Sequence, residues 1–385
     1  MIRPVSKMCV LAATPLSIHF FLKPHLIALS QHFDVTLACN PKNDAYLPPL
    51  DLPVRQVSVG IARKISPLRD LLTLFELYRL FRLEHFDLVV SVAPKAGLLG
   101  MVAAALAGVP RRVHVFQGEV WASKRGPMRT LLKTMDRIVA GLATHVLAMG
   151  PGERRFLEEQ GVTWPGQVKV LGSGSISGVD LVRFRPNPEA RVSLRKAHGI
   201  PDDAVVCLFL GRFTADKGVF DLVRAFALCG EKTPKLWLIM VGPDEENVGP
   251  QLRSALNGET SRRMLVDGFT DTPERYLAAA DFLCLPSYRE GFSVVVIEAA
   301  AAGIPTIGSR IYGVSDAIVE GETGLLAAPG NVPQLAAAIS RLAEDGALRA
   351  RLTSAGRMRV EKEFEQKKVV AGYADFFRRM FEVCA

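Results

Sequence analysis

Two cations stand close together in the segment "GRFTADKG", residues 211 to 218. Arg212 follows Gly211 and Lys217 precedes Gly218, with the apolar run "AVVCLFLG" before them and the helical pattern "VFDLVRAFAL" after them. Because a helix N-terminus donates backbone N–H groups, two cations beside it could hold an anion such as a phosphate. The segment is not a Walker A loop, since the Gly-Lys-Ser/Thr ending is absent. The alternative is a solvated turn that carries two charges.

Two carboxylates stand at the ends of the apolar run "EGFSVVVIE", residues 290 to 298. An ionised carboxylate is costly to bury unless something compensates it, so Glu290 and Glu298 need partners. The pattern predicts a strand, a loop and a helix that begins near Ser293, a good N-cap residue, while Gly291 would let a ligand approach the backbone. Glu298 would then lie on the order of 7 to 8 Å along the helix, close to the span of a pyrophosphate.

This spacing fits a nucleotide diphosphate sugar laid across the start of the helix. Glu290 would meet the sugar and backbone amides the phosphates, while Glu298 would accept hydrogen bonds from the ribose, since carboxylates are strong acceptors for vicinal hydroxyls. The alternative makes Glu298 a helix glutamate paired with a lysine and Glu290 a loop charge.

Short β-branched runs alternate with helical patterns along the chain. The strand candidates of the first half are "CVLAA", "DVTLAC", "DLVVSV", "RRVHVF" and "THVLAM". After a loop rich in Gly, Ser and Pro, at residues 172 to 188, the alternation restarts with "AVVCLFLG", "KLWLIMVG", "RMLVDGF", "DFLCLPS", "PTIGS" and "GLLAAP". The pattern predicts an α/β fold of two doubly wound, Rossmann-like domains joined near residue 185, facing each other across a cleft at the carboxyl ends of the strands.

The composition limits the class of protein. A chain of 385 residues with 49% hydrophobic and 22% charged content is typical of an ordinary globular protein of about two domains. The net charge of +8 indicates an anionic partner, and no nucleic-acid-binding motif accompanies it. The six cysteines form no Cys-x-x-Cys pair, which favours a reducing cytosol. We expect residues 8 to 13 to form a buried strand and not part of a signal peptide.

Four segments of the second half follow one another in a characteristic order: "GRFTADKG", "DGFTD", "AAADFLCLPSYREGFSVVVIEAAAAGIPTIGS" and "IVEGETGLLAAPG". In this order and spacing they resemble the donor-binding half of the family 4 retaining glycosyltransferases, which have the two-domain GT-B fold. The resemblance covers nearly all of residues 200 to 370. With "FQGEVWASKRG" and "GSGSISGVDLVRF", the chain looks most like the bacterial members that build capsule, O-antigen and related cell-surface polysaccharides, often on a polyprenyl diphosphate carrier.

The resemblance implies a role for each matching residue. Arg212 and Lys217 would bind the donor diphosphate and stabilise the leaving group. Glu290 would contact the hydroxyls of the transferred sugar, and Glu298 would contact the ribose. The further donor-binding positions would be Gly211, Gly268, Phe269, Gly291, Phe292 and Ser293, with Gly268 and Phe269 beside the base. Such a site needs no metal and no cofactor, and no Asp-x-Asp occurs in the chain.

The first half departs from the family in two loops. Where many members have a Gly-Gly pair after the first strand, this chain reads "TPLSIHFF" and offers no glycine. Where many have a His-Gly pair after a central strand, this chain offers Gln117 and Gly118, so Gln117 or Glu119 becomes the candidate for contact with the reacting sugar or the acceptor hydroxyl. His114 is the rival candidate, although a histidine on an apolar strand is more often a core residue.

A basic stripe is predicted in "WASKRGPMRTLLKTMDRIVAGLA", where cations recur every four positions beside an apolar face: Arg125, Arg129, Lys133 and Arg137. One interpretation is a core-packed helix with a solvated basic side. The other is a surface for anionic lipid headgroups or for the acceptor's diphosphate, with Trp121 near the interface. The segment "RKISPLRDLLTLFELYRLFRL", which is also basic and apolar, supports the second interpretation.

We therefore predict an acceptor-binding domain at residues 1–185, a donor-binding domain at residues 186–364, and a C-terminal helix at about 365–385 that packs back onto the first domain. The resemblance implies a retaining, metal-independent hexosyltransferase that moves a sugar from a nucleotide diphosphate donor, with UDP-sugars expected, to a glycan or polyprenyl-diphosphate-linked glycolipid. It would be peripheral on the cytoplasmic face of the inner membrane. The alternatives are a nucleotide-sugar epimerase or hydrolase of the same fold, and a non-catalytic nucleotide-sugar-binding subunit.

Overall fold

The computed structural model describes residues 5–43, 49–62, 66–256 and 258–382. The chain divides into two compact units, which are described separately below. Unit 1 comprises Met1–Ser177 with Lys367–Ala385, and unit 2 comprises Gly178–Gln366. The division between Ser177 and Gly178 falls within the loop rich in Gly, Ser and Pro that the sequence predicts as the connection.

Unit 1 is built on a seven-stranded parallel sheet. Its strands are β1 (Lys7–Ala12), β2 (Asp34–Cys39), β3 (Arg55–Ser58), β4 (Leu88–Val92), β5 (Arg111–Val115), β6 (His145–Ala148) and β7 (Val168–Val170). Their order is β3-β2-β1-β4-β5-β6-β7, and the register places Met8 of β1 beside Val35 and Leu88. The sequence predicts five of these strands and misses β3 and β7, because these short edge strands bury too few side chains to show an apolar run.

The helices of unit 1 cover the sheet. They are α1 (Pro15–Ser17), which continues through a π-helical turn (Ile18–Leu22) into α2 (Lys23–Ser30), then α3 (Pro67–Glu84), α4 (Pro94–Leu106), α5 (Gly126–Leu142) and α6 (Pro151–Glu159). A 3₁₀ turn (Val120–Ser123) precedes α5. Because α4 packs against both α3 and α5, these three helices form one layer over the core that contains Leu11, Val89 and Met101.

Unit 2 contains a six-stranded parallel sheet in the order β10-β9-β8-β11-β12-β13. Its strands are β8 (Val205–Leu210), β9 (Leu236–Val241), β10 (Met264–Asp267), β11 (Phe282–Leu285), β12 (Thr306–Ser309) and β13 (Gly324–Ala327). The six coincide with the apolar runs that the sequence predicts as strands. The two units therefore confirm an α/β fold with two Rossmann-like domains.

The helices of unit 2 alternate with its strands. They are α7 (Pro188–Ala197), α8 (Val219–Gly230), α9 (Gly249–Ser254), α10 (Gly258–Arg262), α11 (Pro273–Ala279), α12 (Val294–Ala302), α13 (Tyr312–Ser315), α14 (Val332–Glu344) and α15 (Gly346–Glu363), with a 3₁₀ turn at Ala215–Lys217 before α8. The start of α12 is central to the candidate site. Its sequence is apolar almost throughout, which fits a helix that packs on the sheet along most of its surface.

The last helix, α16 (Gln366–Glu382), makes contacts with unit 1. The hydroxyl of Tyr373 donates to the carbonyl of Ser175 at 3.4 Å, and the guanidinium of Arg111 lies 4.2 Å from the ring centroid of Phe381. Residues 383–385 of the predicted terminal helix lie outside the described residues.

Two global properties of the described ranges bear on the sequence predictions. None of their helices has both the length and the apolar composition that a membrane span requires. Buried free thiols occur at Cys9, Cys39, Cys207, Cys229 and Cys284, while Cys384 falls among the residues that are not described.

Candidate functional site

The strand order of unit 2 reverses between β8 and β11, which lie side by side with Cys207 next to Phe282. Ligands of open α/β sheets bind outside the carboxyl ends of the strands at such a reversal. The loop after β8 contains Arg212 and Lys217, and the loop after β11 contains Glu290. The topology thus brings the loop that contains Arg212 and Lys217 beside the loop that contains Glu290, more than seventy positions later in the sequence.

Two glycines allow these loops to pack closely. Gly218 has a φ of +68°, and a Cβ there would lie 2.1 Å from the carbonyl oxygen of Pro286, so only glycine lets the loop after β8 approach the loop after β11. A Cβ at Gly313 would lie 2.4 Å from the carbonyl oxygen of Glu290. The backbone around Glu290 is therefore enclosed by neighbouring segments on more than one side.

Glu290 is already paired within the protein. Its Oε1 accepts hydrogen bonds from Lys217 Nζ at 2.6 Å and from Ser287 Oγ at 2.7 Å. The sequence predicts a contact between Glu290 and a sugar but does not identify these two protein donors. The other carboxylate oxygen, Oε2, accepts no hydrogen bond from the described residues, and the Lys217 ammonium keeps further N–H donors. The pair can therefore offer both an acceptor and a donor to a ligand.

Arg212 is held by a different carboxylate. Its Nη1 lies 2.7 Å from Glu245 Oε2, in the loop after β9, and about a third of its side chain is exposed. Gly211 is fixed by a hydrogen bond from its amide to the carbonyl of Val241 at 3.0 Å. Arg212 and Lys217 thus lie in one loop but pair with separate acids. The sequence analysis did not identify Glu245 or Ser287 as partners. For Ser287 a signal was present, because a serine three positions before Glu290 in the same loop can reach its carboxylate.

The start of α12 differs from the prediction in its capping. Ser293 is the N-cap residue, yet its side chain makes no capping bond, and its Oγ is buried with no hydrogen-bond partner among the described residues. The Ser293 amide donates to the carbonyl of Gly313 at 3.1 Å, so it is not available to a ligand, contrary to expectation. Within the same described ranges, the amides of Gly291 and Phe292 donate to no protein group. Two amides and one hydroxyl therefore remain for a ligand.

The side chain of Phe292 does not take part in this cluster of donors. It is buried, with its ring centroid 5.4 Å from that of Phe364. Phe292 thus anchors the loop in the core while its amide stays unpaired. A backbone group held by a buried side chain is well suited to a pre-organised ligand contact.

Glu298 is the fifth residue of α12, as the sequence predicts, and it is half-buried. In the part of the chain that the structure describes, no group donates a hydrogen bond to its carboxylate, and the lysine partner of the alternative interpretation is absent. Burial raises the pKa of Glu298 to about 7; the charge of Arg183 lowers this pKa and that of Glu274 raises it. Arg183 is itself paired with Glu274 at 2.9 Å. Glu298 therefore remains without a compensating partner of its own.

The loop after β10 combines an anchored end with an exposed tip. The hydroxyl of Tyr276 donates to Asp267 Oδ2 at 2.8 Å, and His198 Nε2 lies 3.3 Å from the same oxygen. Burial, together with Asp267, raises the pKa of the Tyr276 hydroxyl to about 12. Beyond this anchor, Gly268 and Phe269 are exposed. The sequence did not identify Asp267 and Tyr276, because their roles depend on a contact between β10 and α11.

His114 of unit 1 has the contacts of a core residue. Its Nδ1 lies 2.8 Å from Ser91 Oγ, and a Cβ at Gly97 would lie 2.3 Å from its ring. Burial lowers the pKa of His114 to about 3. These contacts agree with the alternative interpretation, and we assign His114 no contact with a substrate.

The loop after β5 presents Gln117 and encloses Glu119. Glu119 is buried, while Gln117 is half-buried and its side chain makes no hydrogen bond with the described residues. The loop is anchored by Glu153 of α6, which the sequence did not identify: its carboxylate accepts from the Gly118 amide at 2.5 Å and from the Met149 amide at 2.7 Å. Gln117 is therefore better placed than Glu119 to contact a ligand.

Three of the four cations of the predicted basic stripe are engaged with side-chain or backbone oxygens just after α6. Arg125 is the exposed N-cap residue of α5. Arg129 donates to Gln160 Oε1 at 2.9 Å, Lys133 lies 3.5 Å from the same oxygen, and Arg137 donates to the carbonyl of Gly161 at 2.7 Å. No carboxylate pairs with any of the four in the described ranges. The stripe is positively charged, but three of its members hold the end of α6 against α5.

Trp121 lies in the core and not near an interface, which corrects the sequence prediction. Its side chain is 1% exposed, its Nε1 donates to Asp136 Oδ2 at 2.7 Å, and it stacks on Phe156 with 5.2 Å between ring centroids. Burial raises the pKa of Asp136 to about 6, although the bond from Trp121 lowers it. The segment "WASKRG" suggested an interfacial tryptophan because Trp121 stands close to Lys124 and Arg125 in the sequence. In the structure the two cations are exposed, whereas the tryptophan is buried.

Among the described residues, no group of three or more His, Cys, Asp or Glu side chains could hold a metal ion. The donors that the site does offer are cations, amides and hydroxyls. Such donors suit an anionic, hydroxyl-rich ligand.

Two family models match the chain. "Glycosyl transferases group 1" covers residues 191–359, and "Glycosyl transferase 4-like domain" covers residues 26–174. The first match contains all the donor-site candidates of unit 2, and the second contains Gln117, Glu119 and the basic stripe.

Proteins with similar sequences or structures agree with these two family models. A capsular polysaccharide biosynthesis glycosyltransferase, CapM, of Staphylococcus aureus is 28% identical over 80% of this chain and 81% of its own length. A UDP-Gal:alpha-D-GlcNAc-diphosphoundecaprenol alpha-1,3-galactosyltransferase of Escherichia coli is 27% identical over 83% of this chain and 82% of its own. Among solved structures, a sucrose-phosphate synthase from Thermosynechococcus elongatus superposes with a TM-score of 0.81 over 98% of this chain and 100% of its own, at 24% identity.

Proposed function

Because the chain is a family 4 glycosyltransferase with the GT-B fold, we propose that it transfers a sugar from a nucleotide diphosphate donor with retention of configuration. Its place in polysaccharide or glycolipid synthesis follows from its relatives. The observation that carries the donor proposal is the set of groups at the start of α12. The amides of Gly291 and Phe292 and the buried Ser293 hydroxyl have no partner among the described residues, Lys217 bonds to the neighbouring Glu290, and Glu298 lies further along the helix.

The donor phosphates would bind at the start of α12. The amides of Gly291 and Phe292 and the Oγ of Ser293 have no protein partner among the described residues, so a phosphate would satisfy them. Lys217 keeps ammonium donors beyond its bond to Glu290, and Arg212 could exchange Glu245 for the phosphate. Two cations would then stabilise the charge that develops on the leaving diphosphate, the kind of contribution that often dominates enzymatic rate enhancement.

The nucleoside would lie beyond the phosphates. Glu298 lacks a donor of its own, and the two ribose hydroxyls would supply a pair of them. The exposed Phe269 would contact the base beside Gly268. We propose UDP as the nucleotide, an assignment supported by the UDP-Gal in the name of the Escherichia coli relative.

The transferred sugar would meet Glu290 Oε2, because Lys217 and Ser287 both bond to the other oxygen, Oε1. Because Oε1 is occupied by two donors, we assign Glu290 to hydrogen bonding with sugar hydroxyls and not to proton transfer. The leaving phosphate itself would accept the proton of the acceptor hydroxyl as that hydroxyl attacks from the same face. Lys217 and Arg212 would take the place of a metal ion, so we propose that the reaction needs none.

The acceptor would be a glycan or a polyprenyl-diphosphate-linked glycolipid used for cell-surface polysaccharide. The galactosyltransferase relative is named for a diphosphoundecaprenol acceptor, which supports the lipid-linked class. Gln117 of unit 1 is the residue we propose for contact with the acceptor or the reacting sugar. An enzyme with such an acceptor would work at the cytoplasmic membrane face.

The test is a transfer assay with a panel of nucleotide sugars and a lipid extract of the cell envelope, followed by mass spectrometry of the products. We expect one donor to yield a lipid product heavier by one sugar residue, with the donor's anomeric configuration in its NMR spectrum and the same rate in EDTA. Release of free sugar or conversion to an epimeric nucleotide sugar would instead indicate a hydrolase or epimerase. Binding of UDP without turnover would indicate a non-catalytic subunit.

A further inference from the structure

The outward face of α3 exposes an unusual amount of apolar surface. Five large side chains on this one helix are exposed, from 60% at Phe75 to 81% at Leu68: Leu68, Leu71, Leu72, Phe75 and Leu83. Leu68, Leu71, Leu72 and Phe75 are spaced by three and four positions, so they share one side of the helix. Isolated surface leucines are common, but a continuous apolar strip of this kind marks an interaction site.

This strip lies opposite the side of α3 that packs on the protein. The buried residues of α3 are Thr73, Leu77 and Phe81, and they join the core of unit 1. A surface helix normally has one apolar face and one polar face. α3 has an apolar strip on each side. Packing against the core of unit 1 accounts for the apolar residues of the inner strip, but it does not account for those of the outer strip.

The charges on α3 give the outer face a positive sign. Its acidic residues are held close to the protein: Asp70 pairs with Lys95 at 2.7 Å, Glu76 accepts from the Gly60 amide at 3.0 Å, and Glu84 pairs with Arg55 at 2.8 Å. By contrast, no carboxylate pairs with Arg69, Arg79 or Arg82 in the described ranges, and all three are exposed. Exposed cations that pair with no carboxylate of the described residues therefore flank the apolar strip.

We propose that the outward face of α3 binds the interface of an anionic lipid bilayer. Leucine and phenylalanine side chains would enter the boundary between headgroups and acyl chains, while the arginines would contact lipid phosphates. The strip from Leu68 to Leu83 extends about 22 Å along the helix, so the helix would lie in the plane of the membrane. The inference deepens the proposed function and rests on it for the lipid-linked acceptor, but it moves the membrane contact from the α5 stripe to α3.

The arginines also distinguish a membrane from a second copy of the chain. A symmetric dimer formed through this face would bring Arg79 and Arg82 of two copies together, and like charges at an interface oppose association. An anionic bilayer instead neutralises these charges.

The experiment is flotation of the purified full-length protein with two kinds of vesicle. One kind is pure phosphatidylcholine, and the other contains about 30% phosphatidylglycerol as the anionic lipid. We expect binding to the anionic vesicles only. The double variant Leu71→Ser/Phe75→Ser should bind at least about tenfold more weakly, since two apolar side chains no longer enter the interface.

Matched controls separate this surface from exposed residues in general. Val192→Ser/Leu228→Ser removes two exposed apolar side chains of unit 2 and should leave binding unchanged. Arg79→Gln/Arg82→Gln should weaken binding to anionic vesicles about threefold to tenfold and reduce its salt dependence, whereas Lys196→Gln/Arg275→Gln should not. Thermal unfolding and light scattering establish that each variant is folded and has the oligomeric state of the wild type.

Three results would overturn the inference: no binding of the wild type to anionic vesicles, equal binding by Leu71→Ser/Phe75→Ser, or a change from dimer to monomer in that variant. The proposed function fails separately, if no nucleotide sugar supports transfer to any acceptor. Transfer to a short-chain, water-soluble acceptor should continue in Leu71→Ser/Phe75→Ser at the wild-type rate. That combination, weak vesicle binding with normal transfer to a soluble acceptor, is the result expected for a membrane-binding surface.

Discussion

Glu290 and Glu298 stand at the two ends of one nine-residue segment, yet the fold gives them different surroundings. Glu290 lies in the loop after β11 and accepts hydrogen bonds from Ser287 of the same loop and from Lys217 of the loop after β8. Glu298 lies within α12 and accepts none from the described residues, and burial raises its pKa to about 7. The charge of Glu290 is compensated by the protein, whereas the charge of Glu298 has to be compensated by a ligand or removed by protonation.

This difference assigns the two carboxylates to different steps. A group that is paired before the donor arrives is pre-organised, so Glu290 and Lys217 would act mainly on the reacting centre. A group without a partner gains its hydrogen bonds only on binding, so Glu298 would act mainly on donor affinity. Substitutions at the two ends of the segment should therefore affect kcat and donor binding to different extents.

The largest effect is expected for Lys217→Met. This change removes a cation from the leaving diphosphate and leaves Glu290 half-buried without its ion-pair partner, so kcat should fall by about 10³-fold or more. Steady-state transfer assays measure the change. Lys235→Met is the matched control, because Lys235 forms an exposed ion pair with Asp203 and should be near neutral. A loss of less than about tenfold in Lys217→Met would remove Lys217 from the catalytic machinery.

A smaller effect, confined to binding, is expected for Glu298→Ala. Loss of two hydrogen bonds from the ribose should weaken UDP binding by about tenfold to hundredfold while kcat at saturating donor changes little. Titration calorimetry with UDP measures the affinity. Glu344→Ala, at an exposed helix glutamate of α14, provides the control. If Glu298→Ala leaves the dissociation constant of UDP unchanged, the ribose contact has to be assigned elsewhere.

The raised pKa of Glu298 adds a pH dependence that Glu290 should not share. If the ribose hydroxyls bind the ionised carboxylate, UDP affinity should increase as the pH rises from 6 to 8 and level off above the pKa of about 7. Because the terminal phosphate of UDP also titrates near a pH of about 6, Glu298→Gln should keep that part of the pH dependence and lose the further increase through a pH of about 7. A wild-type profile with the same pH dependence as that of the variant would contradict the assignment.

The stability of the ligand-free protein should change with pH in the opposite direction. The folded chain keeps the Glu298 proton up to a pH of about 7, whereas the unfolded chain loses it near the ordinary value of 4.5, so the folded state binds more protons between these values. The contribution of Glu298 to stability is therefore present below about 4.5 and is lost as the pH rises to about 7. Thermal melts should accordingly find Glu298→Gln stabilised relative to the wild type at pH 8 but not at pH 4.5.

The sequence predicts the strands and loops of unit 2 well because each buried strand is a continuous apolar run that ends in a polar loop. It also predicts that Lys217 and Glu290 belong to one site, although not that they bond to each other. That contact depends on β8 and β11 being neighbours. It also depends on Gly218, because any larger residue there would place a Cβ against the carbonyl of Pro286 and keep the two loops apart. The partners Glu245 and Asp267 are likewise fixed by contacts with distant parts of the chain, whereas Ser287 lies only three positions before Glu290 in the same loop.

Unit 1 is less predictable for a related reason. The spacing of Arg129, Lys133 and Arg137 correctly indicates one side of a helix, but it does not reveal that this side faces Gln160 and Gly161. Trp121 and His114 are polar-edged side chains that are buried with a polar ring atom paired to another side chain, Asp136 and Ser91 respectively. Periodicity identifies a face of a helix, whereas the neighbouring element decides whether that face is buried or free.

The smallest effect is expected for Ser287→Ala, which separates the two donors to Glu290. Lys217 would still hold the carboxylate, so kcat should fall only about threefold to tenfold, close to the value of a single hydrogen bond. Transfer assays under saturating donor measure the change, and UDP affinity should stay within about twofold of the wild type, because neither Glu298 nor the amides of α12 are altered. If Ser287→Ala instead weakened UDP binding as much as Glu298→Ala does, Glu290 and Glu298 would both act on donor affinity. The assignment of Glu290 to the reacting centre and of Glu298 to donor binding would then be wrong.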